Sequence, residues 1–131
     1  EVELLRFTTA HDAGKVLNPV DHQGQIDGAI IQGIGYALSE ELVVDEGRVT
    51  TSTFGEYKIP SIKDIPELLT VVLESDAGPG PYNAKGIGES PCGAVAPAIA
   101  NAVRDAVGAR VRSLPITSEK VLQALVDGEG S

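Results

Sequence analysis

Apolar and polar positions along the chain alternate with two different periods. From Ile26 the apolar residues Ile26, Ile30, Ile34, Ala37 and Leu38 recur at helical spacing, which predicts one buried helical stripe ending near Leu42. Asn18 and Pro19 mark its start, an amide suited to cap free N–H groups followed by a ring preset to the helical φ. Val95, Ile99, Ala102, Val103 and Ala106 line one face of a second helix ending at Gly108, with Pro97 either starting or kinking it. A last helix is expected from Thr117 to Val126, stopped by Gly128.

Apolar and β-branched runs predict strands at Val2 to Ala10 and Leu68 to Glu74, and a short one near Val111. Asp12-Ala13-Gly14 reads as the turn after the first strand. A strand pair is expected within Leu42 to Thr53, around Asp45-Glu46-Gly47. Phe54 to Pro66 is a polar, proline-bearing connector. Asp76 to Pro91 holds glycines and prolines without apolar periodicity, a long loop of the kind that often carries function. The order predicts an α+β domain, a small mixed sheet packed with about three helices.

Composition narrows the possibilities. A chain of 131 residues, 42% hydrophobic, suits one domain with one core. Ten basic against nineteen acidic side chains give a net charge of −9, and no basic cluster with interleaved aromatics tracks a phosphate backbone, which argues against nucleic acid as partner. The single cysteine, Cys92, cannot form an internal disulfide, nor alone hold a four-thiolate zinc site or an iron–sulfur cluster. Without a signal peptide or an apolar stretch long enough for a bilayer, a cytoplasmic protein is expected. Methionine is absent and the chain opens on a strand-like segment, so a piece of a longer polypeptide is expected.

Three features could carry chemistry. Glu89 follows the bend Lys85-Gly86-Ile87-Gly88, ahead of Pro91 and a helix; the plain reading is a first-turn carboxylate that stabilises free helix amides. Gly88-Glu89-Ser90-Pro91-Cys92 nearly matches the serine-hydrolase elbow but lacks the final glycine, and Pro91 removes an oxyanion-hole donor, so Ser90 reads as a helix cap and Cys92 as a small buried hydrophobe. Gln25 and Gln32 stand two turns apart on one helix face among Gly24, Gly28, Gly33 and Gly35. Each internal glycine costs roughly 1 kcal/mol against alanine, so close approach of a backbone or a ligand is expected there; the plain reading is helix packing with two solvated amides. His11 and His22 lack the spacing of a recognisable metal site, and no metal ligand is assigned.

Taken together the segments resemble the C-terminal end of the large, molybdenum-binding subunit of the xanthine dehydrogenase and aldehyde oxidase family of molybdenum hydroxylases. The resemblance runs nearly end to end: Asp12-Ala13-Gly14 with Asn18-Pro19, Gly24-Gln25-Ile26-Asp27-Gly28, Gln32-Gly33-Ile34-Gly35 and Glu40-Glu41-Leu42, then Tyr57-Lys58-Ile59-Pro60 with Asp64-Ile65-Pro66, and Lys85-Gly86-Ile87-Gly88-Glu89 before a proline and an alanine-rich helix. Asn83 stands where a glycine is common, and Ser90 where another small or apolar residue may stand.

The resemblance implies that residues 1–131 are one part of a molybdopterin-binding domain. It makes Glu89 the base that takes a proton from a hydroxide on molybdenum, which attacks an electron-poor carbon of an aldehyde or nitrogen heterocycle while hydride passes to a sulfido ligand. It sets Gln25 near the molybdopterin, for which the cytosine dinucleotide form is one option, and makes the backbone amides of Gly86, Ile87 and Gly88 its neighbours. The remainder of the large subunit, and iron–sulfur and FAD domains or subunits, are the implied partners of a chain inactive by itself. The alternative is a non-catalytic docking or assembly module of the same fold.

Overall fold

A computed structural model describes residues 1–128. Strand β1 (Arg6–Gly14) leads into helix α1 (Pro19–Leu38), and a small hairpin, β2 (Val44–Asp45) and β3 (Arg48–Val49), follows. Strand β4 (Glu67–Glu74), helix α2 (Val95–Val107) and helix α3 (Ser118–Gly128) complete the order. β1 and β4 pair in parallel, Arg6 beside Glu67 and Asp12 beside Leu73, with a bulge between Asp12 and Gly14. A parallel pair needs a crossover, and α1 supplies it. The domain is thus α+β, with three helices among the described residues and its strands in one parallel and one antiparallel pair.

The expected stripe organises the core. Asn18 caps α1, its Oδ1 accepting from the N–H groups of Val20 at 3.2 Å and Asp21 at 3.3 Å. Ile26, Ile30, Ile34 and Ala37 of α1 are buried with Val95, Ile99 and Val103 of α2. Phe7 of β1 and Leu68 and Val72 of β4 pack onto this cluster from the sheet. Gly33 is the point of closest helix contact: a Cβ there would lie 2.6 Å from that of Val95, so the missing side chain sets the spacing of α1 and α2.

Several boundaries differ from the sequence reading. β1 starts at Arg6, not Val2; Val2 and Leu4 still pack on the core without a strand partner. Asp12 to Gly14 is the bulged end of β1 and not a separate turn, because β4 continues the pairing to Glu74. α1 stops at Leu38, not Leu42, where the N–H groups of Ser39 and Glu40 both turn back to the Gly35 carbonyl. The turn of the β2–β3 hairpin takes positive φ at both Glu46 and Gly47, the geometry that matches strand twist.

Pro97 neither starts nor kinks α2. It falls in the first turn, where its missing N–H leaves no bond unmade. Ser90 does not cap α2 either, since the cap position is Ala94 and no side chain bonds there. No strand forms near Val111; the segment after Gly108 runs irregularly, and burial of Ala109, Val111 and Ile116 holds it on the core. β-propensity at Val111 reports burial and not pairing.

Deleting core volume and adding it should both destabilise. Ile30→Ala is expected to cost about 2–5 kcal/mol, and Gly33→Val about 1–3 kcal/mol by overpacking against Val95. Chemical denaturation of each variant, read as a shift in midpoint at unchanged slope, checks both values.

Candidate functional site

At the C-terminal ends of β1 and β4 the structure joins Asp12, Ser75 and Lys85, the residue that opens the glycine loop leading to Glu89. Asp12, on the last regular pair of the sheet, accepts bonds from the Gly14 N–H at 2.9 Å and from Ser75 Oγ at 2.9 Å, and pairs with Lys85 Nζ at 2.8 Å. Those bonds, led by the one from Lys85, hold its carboxyl down at about 2. Lys85 is also fixed by its backbone, its N–H donating to the Ala13 carbonyl at 3.0 Å. The loop that begins Lys85-Gly86-Ile87-Gly88-Glu89 is therefore tied to the strand end at its first residue.

The preceding turn supplies the second anchor. Gly14 and Ala84 form an isolated bridge, and the Asn83 carbonyl accepts from the Lys15 N–H at 3.1 Å. A Cβ on Gly14 or on Gly78 would collide with that carbonyl, so both positions admit only glycine while Asn83 keeps its place. Tyr82 and Asn83 hold left-handed φ values of 58° and 61°, a conformation costly for most side chains and characteristic of constrained functional turns.

Beyond Lys85 the loop opens. Ile87 packs its side chain against the core cluster, while Gly86, Gly88 and Glu89 are exposed. The amides of Gly86, Ile87, Gly88 and Glu89 have no acceptor among the described residues, and the Glu89 carboxylate has neither a hydrogen bond nor an ion pair there. The Glu89 carbonyl accepts from the Cys92 N–H at 3.0 Å, closing a turn that ends before α2. Glu89 lies outside the first turn of α2, so the plain helix-start role expected for it does not apply.

Neither glutamine is hydrogen-bonded to this loop among the described residues. Gln25 is exposed on α1, and no hydrogen bond joins it to residues 86–89. Gln32 donates to Tyr36 Oη at 2.6 Å. Nothing lies above Gly24 or Gly28 within 4 Å, so a strip of bare helix backbone flanks Gln25. Cys92 is half-buried and free. His11, bonded to Thr9 Oγ1 at 2.7 Å, sits close enough to His22 that burial and the neighbouring imidazole together lower its pKa; their separation in sequence hid this neighbourhood.

Sequence reasoning also missed Asp12, Ser75 and Lys85 as one cluster. The signal was present only as a carboxylate at a strand end and a lysine ahead of the glycines; pairing of distant strands joins them. A concavity of about 910 Å³ lies at the other end of the sheet, lined by Leu4, Leu5, Lys58, Ile65 and Glu67. Parallel sheets place ligands at the carboxyl ends of their strands, which favours the loop end over this groove.

The molybdopterin cofactor-binding domain family matches residues 1–66, just over half of the 131 residues. The chain belongs to this family. A probable xanthine dehydrogenase subunit from Bacillus subtilis is 37% identical over 125 residues, covering 95% of this chain and 17% of the relative. The aldehyde oxidoreductase molybdenum-binding subunit of Escherichia coli K12 is 41% identical over 130 residues, covering 97% of this chain and 18% of its own length. The crystal structure of the aldehyde oxidoreductase from Desulfovibrio desulfuricans superimposes with a TM-score of 0.84 at 42% identity, covering 93% of this chain and 13% of that one. The chain therefore spans less than a fifth of each of these relatives. Among the described residues no helix is long and apolar enough to cross a membrane.

For a molybdopterin cofactor-binding chain the open amides of residues 86–89 fit the group, since consecutive free N–H donors receive anionic oxygens. Gly86 and Gly88 have open space where a Cβ would stand, so a bound group can approach the backbone closely.

The Asp12 cluster should give the loop anchor an acid limit. Asp12 titrates near 2 in the folded chain against an ordinary 3.8, so its contribution is whole above about 4 and is lost as pH falls through about 2. Amide exchange at Lys85 should lose protection over that window, and Asp12→Asn should lower protection at neutral pH while flattening the acid limb. Unchanged exchange in the variant would show that Asp12 does not hold the loop.

Proposed function

We propose that the chain is the C-terminal part of the large subunit of a molybdenum hydroxylase. The reaction is hydroxylation of an aldehyde or N-heterocycle carbon with water-derived oxygen, and Glu89 is its general base. One observation carries this reading: Glu89 stands exposed, without a partner among the described residues, at the end of a loop whose start is locked to the sheet by Asp12, Lys85 and Asn83. The relatives named for xanthine and aldehyde oxidation supply the reaction class.

The molybdenum cofactor, when bound, would supply the oxygen-transfer and two-electron redox chemistry. The chain's own residues do the rest. The N–H groups of Gly86, Ile87 and Gly88 bind the cofactor's acceptor atoms, and Gln25 on the bare strip of α1 contacts its periphery. The Glu89 carboxylate accepts the proton released as the nucleophile attacks, a task that needs a free oxygen within hydrogen-bond reach and worth about 10²–10⁴-fold in rate. The anchored strand end keeps that oxygen in position without a partner that would quench it.

The cofactor is molybdopterin, with the cytosine dinucleotide form as the variant to look for. Iron–sulfur clusters and FAD reside on other domains or subunits, in keeping with one cysteine here. The remainder of the large subunit completes the substrate pocket, the assembly is cytoplasmic, and the isolated chain is inactive.

In the complete assembly Glu89→Gln is expected to lower kcat by about 10²-fold or more while molybdenum, measured by mass spectrometry, stays at the wild-type ratio. Hydroxylation retained at the wild-type rate would remove Glu89 from the chemistry. Absence of molybdenum from the purified wild-type assembly would remove the hydroxylase reading and favour a docking module.

A further inference from the structure

The β1–β4 pair has two faces, and only one is used. The Gln23 amide of α1 donates to Thr70 Oγ1 at 3.0 Å, and Leu68 and Val72 pack on the core, so these alternate positions of β4 face α1. Their neighbours Leu69, Val71 and Leu73 point the other way and are 42%, 49% and 54% exposed. Register sets Thr8 beside Leu69 and Ala10 beside Val71 on that outer face. Its ends are polar: Arg6 pairs with Glu67 at one, and Asp12 with Lys85 at the other.

We propose that this outer face is a docking surface for the remainder of the large molybdenum subunit, which rests on the reading that the chain is part of one. The run Glu67-Leu-Leu-Thr-Val-Val-Leu-Glu74 is apolar at consecutive positions, the pattern of a strand buried on both sides and not of a half-solvated one. Parallel pairs are ordinarily covered on both faces, and neither β1 nor β4 has a further strand partner among the described residues. An apolar middle with charged ends has the layout of an interface, with its dry centre and polar rim.

The occupant follows from length and charge. Relatives that match 95% and 97% of this chain carry more than four fifths of their own sequence outside the match, polypeptide enough to supply a covering layer. A second copy is the poorer occupant, because two chains of net charge −9 repel.

The full-length subunit carrying this chain tests the proposal. Val71→Cys is nearly isosteric, and Glu46→Cys on the β2–β3 turn serves as the exposed reference. Iodoacetamide labelling, resolved by peptide mass spectrometry, should be at least about tenfold slower at position 71 than at position 46 under native conditions, equal in urea, and unaffected by dilution. Hydroxyl-radical footprinting of the unsubstituted subunit should likewise leave Leu69 and Leu73 unoxidised, so a misfolded variant cannot decide the matter. Labelling and oxidation at the reference rate would overturn the proposal, as would protection that vanishes on dilution, which would assign the face to a second copy. Molybdenum content is measured on the same sample, so failure of the hydroxylase reading is distinguished from failure of the docking surface.

Discussion

The parallel pairing of β1 with β4 is the constraint from which the rest of the molecule is built. Parallel strands cannot be joined by a tight turn, so a helix must carry the chain back across the sheet, and α1 does so. That crossing forces one stripe of α1 to be apolar and leaves its other side to solvent. It also sets register: Asp12 arrives beside the end of β4, within reach of Ser75 and Lys85. A shift by one residue would turn the Asp12 carboxylate into the sheet's inner face and release the loop.

Helix existence was legible because burial leaves a periodic mark. Ile26, Ile30 and Ile34 announce α1, and Asn18-Pro19 its start, since both signals are local. Its end was not, because Ser39 and Glu40 stop the helix through bonds to Gly35 and not through a residue type with a strong preference. The missing strand at Val111 has the same origin: a β-branched residue held on the core by Ile116 and its neighbours looks, in sequence, like one held by a ladder.

The candidate site was half legible. Glu89 and the glycines beside it stand out from a single stretch, and the structure adds that the carboxylate has no partner among the described residues and is clear of the α2 start. The Asp12, Ser75 and Lys85 cluster joins residues from three distant parts of the chain, and no local pattern foretells it. Placing Gln25 and Glu89 in one site rests on the proposed cofactor spanning them, since among the described residues no bond joins the two.

The Asn83 carbonyl is wedged between Gly14 and Gly78 and bonded to Lys15, and this gives the loop a mechanical character. A hinge needs room for a peptide group to swing, and here the peptide that would swing is boxed in by backbone on both sides. A load on this loop is passed through the Lys85 backbone into the sheet and is not absorbed by a yielding turn at Asn83. Glu89 thus stands on a short span fixed at both ends, through Lys85 to the end of β1 and through the turn to Cys92 to the start of α2.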